Sequence, residues 1–137
     1  MLTATELIEL MQRSFPQAKP ERFRIESVED GWVRFRYHAT QEDLRPGDTV
    51  SGPTLMALSD VGVYFNVLVA LGPVVLAVTT SLNINFLQKP GVGELIVESK
   101  LLKLGKRLAV GEVSVFSEGV KGPVSHATVT YSIPAQR

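Results

Sequence analysis

Residues 51–72, SGPTLMALSDVGVYFNVLVALG, carry a single charge, Asp60, in an otherwise apolar run. The stretch opens on Ser-Gly-Pro, a helix start: Ser51 is a capping residue and proline is favoured in the first turn. From Leu55 to Leu71 apolar residues fall on every side of the helix, and a helix apolar all round is expected to be buried all round. The run is also about as long as a bilayer span. Asp60 near its middle, together with Ser59, Asn66 and the glycines, argues for a protein core instead, as does the lack of a basic cluster at either end. A carboxylate on such a helix must be paired, protonated or useful, because an unpaired buried charge is costly. Two readings of Asp60 follow: a reaction group, or an acceptor in a structural hydrogen-bond network.

The flanks read mainly as strands. Upstream, residues 22–28 and 32–38 alternate apolar and polar side chains and meet at Glu29-Asp30-Gly31, a hairpin signal. Arg34 and Arg36 fall on the wet face of that sheet. A short amphipathic helix over residues 3–15, with Leu7, Ile8, Leu10, Met11 and Phe15 on one apolar face, precedes them and reads as a packing lid. Residues 39–50 form a polar connection with a turn at Pro46-Gly47. Downstream, four long strands are expected at 74–87, 94–104, 107–117 and 124–133, separated by glycine-containing turns. In the last, Ala127, Val129, Tyr131 and Ile133 share one face, and His126, Thr128, Thr130 and Ser132 the other. One antiparallel sheet wrapped around one long helix satisfies this order. The fold class is α+β, in one domain over residues 1–137.

Composition narrows the function. Lys plus Arg and Asp plus Glu each number 14, so the chain lacks the basic excess of a general nucleic-acid binder. The absence of cysteine removes disulfides, thiol catalysis and cysteine-ligated zinc. No metal-ligand spacing appears. The first residues, MLTATELIELMQRSF, lack the basic start and apolar core of a secretion signal, and the expected location is the cytoplasm, with no membrane association.

The candidate chemistry lies at the start of the long helix and at Asp60. Backbone N–H groups at a helix N-terminus are unpartnered and favour negative charge, which suits a carbonyl oxygen gaining charge. Pro53 has no N–H, so the usable donors are Gly52 and then Thr54. Asp60 lies about 12 Å further along the same helix by its rise. One chain cannot bring both to one atom; a second helix alongside would.

The run RPGDTVSGPTLMALSD (residues 45–60) resembles the PaaI-like acyl-CoA thioesterases of the hot-dog fold. TTSLNINFLQKPGVGE (79–94) is similar to that family's strand ending in a proline-glycine loop, and KLLKLGKRLAVGEV (100–113) to its next hairpin. The resemblance implies hydrolysis of an acyl-CoA thioester with no cofactor, coenzyme A being part of the substrate. It implies Asp60 as general base or nucleophile, Gly52 as the N–H that polarises the carbonyl, and Thr79 as a hydroxyl beside the carboxylate. It also implies a homodimer, assembled as a dimer of dimers, with Gly52 of one subunit facing Asp60 of the other. The sequence departs from the family pattern at Ser51, where histidine is usual, at Pro53, where a second glycine is usual, and at Arg45, near the usual asparagine. Ser51 and Arg45 are therefore the candidate substrate-binding positions of the loop. Lys103, Lys106 and Arg107 cluster at a turn, either as solvated charges or as contacts for coenzyme A phosphates. Two alternatives stand beside hydrolysis. One is a hot-dog module that binds acyl-CoA or an acyl group without turnover. The other is a dehydratase, which would need His38 or His126 next to a carboxylate.

Overall fold

The computed structural model describes residues 1–135. Helix α1, Ala4–Ser14, is set by a reciprocal cap: the Thr3 hydroxyl accepts from the Glu6 N–H, and the Glu6 carboxylate from the Thr3 N–H. Its apolar face, Leu7, Leu10 and Met11, is buried. Two single 3-10 turns, Pro16–Ala18 and Pro20–Arg22, lead into the hairpin of β1, Phe23–Glu29, and β2, Trp32–His38. The polar connection contains a minimal hairpin, β3 (Leu44–Arg45) and β4 (Thr49–Val50). Its turn uses left-handed backbone at Gly47 (φ 98°) and Asp48 (φ 54°), residue types that tolerate it. Helix α2, Gly52–Leu71, follows, then β5 (Val78–Phe86), β6 (Glu94–Leu104), β7 (Leu108–Ser117) and β8 (Pro123–Ser132).

Six strands form one antiparallel sheet in the order β1-β2-β6-β7-β8-β5. The expected arrangement, a sheet curled around the long helix, is what the chain adopts. The first of the four late strands starts later than its composition suggests. Val74 to Ala77 make a turn closed by the Ala77 N–H on the Val74 carbonyl at 3.0 Å, and both side chains are buried. Anchored in the core, they cannot also extend the ladder of β5.

The inner face of the sheet supplies Val33, Phe35, Leu95, Val97, Val113, Val115, Ala127 and Val129 to the core, all fully buried with Val63, Phe65, Val67 and Leu68 of α2. Two features fix the helix on the sheet. Asn66 and Ser99 hydrogen-bond each other: the Asn66 amide donates to the Ser99 carbonyl at 3.3 Å, and the Ser99 hydroxyl donates to the Asn66 amide oxygen. Gly111 of β7 lets α2 approach so closely that a Cβ there would lie 2.8 Å from Val63 Cγ2 and 3.1 Å from the Lys100 carbonyl oxygen. On the outer face Arg34 lies between Glu26 (2.9 Å) and Glu98 (2.6 Å), so the wet-face arginines are held in an ion-pair lattice.

The burial of α2 departs from expectation. The helix is long and apolar enough to cross a membrane, yet its sheet side is core. Its first half is open on the opposite side, where Pro53, Met56 and Ala57 are exposed and Asp60, Val61 and Tyr64 half-buried. These positions recur at intervals of three and four and form one stripe. Beside it runs the edge strand β5, whose Val78 and Phe86 are 58% and 52% exposed.

The tight contact at Gly111 makes a testable point. Gly111→Ala forces backbone against the Val63 side chain and should cost about 1–3 kcal/mol, the usual range for overpacking a filled core. Urea unfolding monitored by circular dichroism measures it; an unchanged midpoint would mean that β7 has room to move away from α2.

Candidate active site

Asp60 sits on the open stripe of α2, and the last strand reaches over to hold it. Thr79 of β5 and Tyr131 of β8 are directly opposite in the ladder, so their side chains lie together on the helix-facing side. The Thr79 hydroxyl donates to Asp60 Oδ1 at 2.5 Å and the Tyr131 hydroxyl to the same oxygen at 2.8 Å. Tyr131 also lies 3.2 Å from the Asp60 carbonyl oxygen. Among the described residues no donor reaches Oδ2. One carboxylate oxygen is therefore fixed and the other is free. The ladder shifts register between Thr79 and Ser81, a bulge of the kind that re-aims side chains next to functional sites. Burial pushes the Tyr131 phenol well above the usual tyrosine range, and the neighbouring Asp60 carboxylate adds to it, so Tyr131 stays a donor.

Asp60 lines a cavity of about 380 Å³ with apolar walls, formed by Met11, Phe15, Tyr64, Val75, Ala77 and Tyr131 among others. Its aromatic side is continuous. Tyr64 stacks on Tyr131 with ring centroids 5.5 Å apart, and Phe15 meets Tyr64 edge-on at 5.6 Å. The Tyr64 hydroxyl donates to the Val75 carbonyl at 2.9 Å, and burial pushes its pKa up to about 12.

The start of α2 is built separately. Ser51 caps the helix, its hydroxyl oxygen accepting from the Thr54 N–H at 3.4 Å. That removes Thr54 from the donors anticipated for a substrate and leaves Gly52. The cap is locked by Asp43, a buried carboxylate inside the connection read from sequence only as a polar loop. Asp43 accepts from the Tyr37 hydroxyl at 3.0 Å, the Thr40 N–H at 2.9 Å and the Thr54 hydroxyl at 3.2 Å, and its carbonyl accepts from the Ser51 N–H at 2.8 Å. Ser51 is thus turned toward Asp43. Gly52 faces another cavity, of about 460 Å³, which it shares with Arg45, Phe86 and Lys89. A Cβ on Gly52 would touch the Phe86 ring at 3.3 Å, so the backbone there is open only because the residue is glycine. Arg45 is exposed, with no carboxylate partner among the described residues.

The anticipated residues therefore fall into groups. Asp60 and Thr79 meet; Gly52 and Arg45 share a second cavity; within one chain the two groups stay apart. Lys103, near the end of β6, and Lys106 and Arg107, on the β6–β7 turn, are exposed. Leu108 and Val78 flank Ser132 on either side of β8, which puts this turn at the Thr79 end of the sheet. His126 is on the outer face, where its Nε2 lies 2.9 Å from Glu112 Oε1, away from Asp60. His38 is exposed at the end of β2. Neither histidine joins the Asp60 cavity, and the carboxylate beside His126 is Glu112 rather than Asp60. Tyr131 was missed as a site residue. Its signal was available: an inward-facing tyrosine at the end of a strand needs a partner for its hydroxyl.

The family model described as "Thioesterase superfamily" matches residues 47–135. Among solved structures, a candidate thioesterase from Silicibacter sp. TM1040 is 43% identical, with 98% of this chain and 93% of that one covered and a TM-score of 0.88. The E. coli PaaI protein from the phenylacetic acid degradation operon shares the fold at 18% identity, over 96% of this chain and 93% of that one, with a TM-score of 0.79. A hypothetical thioesterase from Streptococcus pneumoniae TIGR4, solved with coenzyme A, shares it at 24% identity over 85% and 89% of the two chains, with a TM-score of 0.71.

The three tyrosines of the chain, Tyr37, Tyr64 and Tyr131, all have raised pKa values, burial being the largest cause in each. An unfolded tyrosine ionises near pH ~10. The folded state holds these protons longer, so their contribution to stability is complete below pH ~10 and is lost as the pH rises beyond it. Near-ultraviolet titration should show phenolate appearing only above that value, with Tyr131 ionising together with loss of the fold. A normal phenol titration of all three in the folded protein would contradict the burial described.

Proposed function

The chain belongs to the thioesterase superfamily, and from that premise we propose that it is an acyl-CoA thioesterase of the PaaI-like hot-dog type whose general base is Asp60. The observation that carries the reading is the clamp on Asp60: two hydroxyls hold Oδ1, no donor among the described residues reaches Oδ2, and the residue lines an apolar cavity. In the proposed reaction a water attacks the thioester carbonyl carbon while Oδ2 takes its proton. The carbonyl oxygen becomes an oxyanion, and a backbone N–H stabilises it as the charge develops. Collapse of the intermediate breaks the C–S bond. The proton on Asp60 passes to the leaving sulfur, giving a carboxylic acid and free coenzyme A.

The oxyanion donor in this reading is the partner's Gly52. About 12 Å of helix separates Gly52 from Asp60 within one chain. The open stripe on α2 and the exposed edge of β5 offer a self-complementary surface, since antiparallel edges pair readily and a two-fold axis would bring each helix start to the other's Asp60. We read the protein as a homodimer on this ground, and as a dimer of dimers from the family resemblance. Coenzyme A in the S. pneumoniae relative supports that carrier here. Arg45, beside Gly52, and the Lys103–Lys106–Arg107 turn, at the Asp60 end of the sheet, are the proposed phosphate contacts.

One observation favours a second reading, an acyl-CoA binder without turnover. Ser51 stands where the family has histidine, and its hydroxyl is engaged with Thr54.

Asp60→Asn keeps the shape and removes the base. It should lower hydrolysis of acyl-CoA esters by about 10²–10⁴-fold, followed with a thiol-trapping dye, while leaving the circular dichroism spectrum intact. Unchanged rates would make Asp60 structural. A wild type that binds acyl-CoA tightly but turns none over would establish the second reading. Light scattering at micromolar concentration should report at least a dimer; a monomer would remove the composite site.

A further inference from the structure

The cavity beside Asp60 is completed by residues outside the stretch that matches the superfamily model. Met11, Phe15 and Ala18 of the N-terminal segment face Tyr64, Val75 and Tyr131 of the matched region across it. That segment is firmly placed. Leu7, Leu10 and Met11 anchor α1 in the core, the Leu2 N–H donates to the Val69 carbonyl at 3.3 Å, and the Phe15 N–H closes the helix on the Met11 carbonyl at 2.7 Å. Pro16 then turns the chain away, leaving the Phe15 ring against Tyr64.

The cavity has a polar and an apolar end. Asp60, Thr79 and the Tyr131 hydroxyl are grouped at one. Moving away from them, the wall passes from the Tyr131 ring to Tyr64 and then to Phe15, two ring contacts from the group that holds Asp60. Toward Phe15 the lining offers one side-chain hydroxyl, that of Tyr64. It already donates to the Val75 carbonyl, and its raised pKa keeps it in that role through the working pH range. A bound group therefore finds reacting polar atoms at one end and hydrocarbon at the other. The volume, about 380 Å³, is more than twice the roughly 150 Å³ of an apolar cavity that takes up benzene. It has room for a substantial hydrocarbon tail, with Phe15 in the wall away from the hydroxyl cluster.

We propose that the acyl tail of the substrate lies in this cavity, that Phe15 with Met11 sets the acyl length the protein accepts, and that the preferred tail ends in plain hydrocarbon. This inference rests on the thioesterase reading for the position of the ester group beside Asp60. The length limit comes from the N-terminal segment, so acyl preference is separable from the hydrolytic apparatus. Phe15 is a specificity residue in this account. It touches the tail and leaves the reacting atoms to Asp60.

The test is a chain-length profile. The wild type, Phe15→Ala and the milder Phe15→Leu are compared by kcat/KM on acetyl-, butyryl-, hexanoyl-, octanoyl-, decanoyl- and palmitoyl-CoA. The same six esters are then titrated calorimetrically into Asp60→Asn, with and without Phe15→Ala, so that binding is measured without turnover. Both Phe15 variants should move the preferred length upward, Phe15→Ala by more. The ratio of the longer to the shorter esters should rise at least about tenfold, the scale on which a hydrophobic pocket responds to one methylene. The ω-hydroxy analogue of the best wild-type ester should lose at least about tenfold in kcat/KM, because the apolar end has no free partner for it. A purely structural role for Phe15 would lower all lengths in parallel. A parallel loss, or an unchanged profile in both hydrolysis and binding, overturns the inference while leaving the thioesterase reading intact. Full activity on the ω-hydroxy ester overturns the preference for a plain hydrocarbon end. If the wild type hydrolyses none of the six, the thioesterase reading fails. The binding series alone then decides: an upward length shift with Phe15→Ala supports the inference and an unchanged one refutes it.

Discussion

A helix that is apolar on every side cannot rest against a single flat layer without leaving hydrocarbon in water. The burial of α2 is the constraint to which the rest of the chain answers. The six-stranded sheet curls to take its deepest side, and close contact is secured by the missing side chain of Gly111 and by the mutual hydrogen bonds of Asn66 and Ser99. Apolar contact alone tolerates sliding. A buried amide and hydroxyl that satisfy each other do not, since any shift along the helix leaves both unpaired at a cost of about 1–3 kcal/mol each. The register of α2 on the sheet is thereby set, and with it the position of Asp60 opposite Thr79 and Tyr131.

The sheet covers α2 on one side only. What remains open is the stripe from Pro53 to Tyr64, and it contains both the helix start and Asp60. The side of the helix that the sheet leaves open is thus the side that carries Asp60. In the proposed reading assembly and chemistry are linked: the contact that would cover Met56 and Ala57 would also bring a second Gly52 toward Asp60.

Two aspartates show how environment assigns roles to one side chain. Asp43 is buried and accepts from Tyr37, Thr40 and Thr54, with Arg22 3.7 Å away, so both its oxygens are occupied. It has no capacity left for a substrate, and it shapes the Ser51–Gly52 corner. Asp60 receives both of its donors on one oxygen, has none on the other among the described residues, and lines the cavity. The difference lies in the count and placement of donors.

The fold was legible in the sequence because hydrophobic period is a local property. Residues 51–72 announced a core helix, alternation along 124–133 announced a strand with Tyr131 pointing inward, and one charge in an apolar run singled out Asp60. The late start of β5 was not legible, because Val74 and Ala77 look like strand residues until the core claims them. Nor was the role of the 39–50 connection, since the partners of Asp43 come from β2 and α2. The N-terminal helix read as a lid, with no sign that Phe15 would meet Tyr64 at the cavity. By itself the sequence determined which residues form the elements, which face of each is apolar, and that Asp60 needs partners. The tertiary structure decided which partners: Tyr131 and Thr79 reach Asp60 only because β5 and β8 pair in that register, and Gly52 stays away because eight residues of rigid helix hold it there.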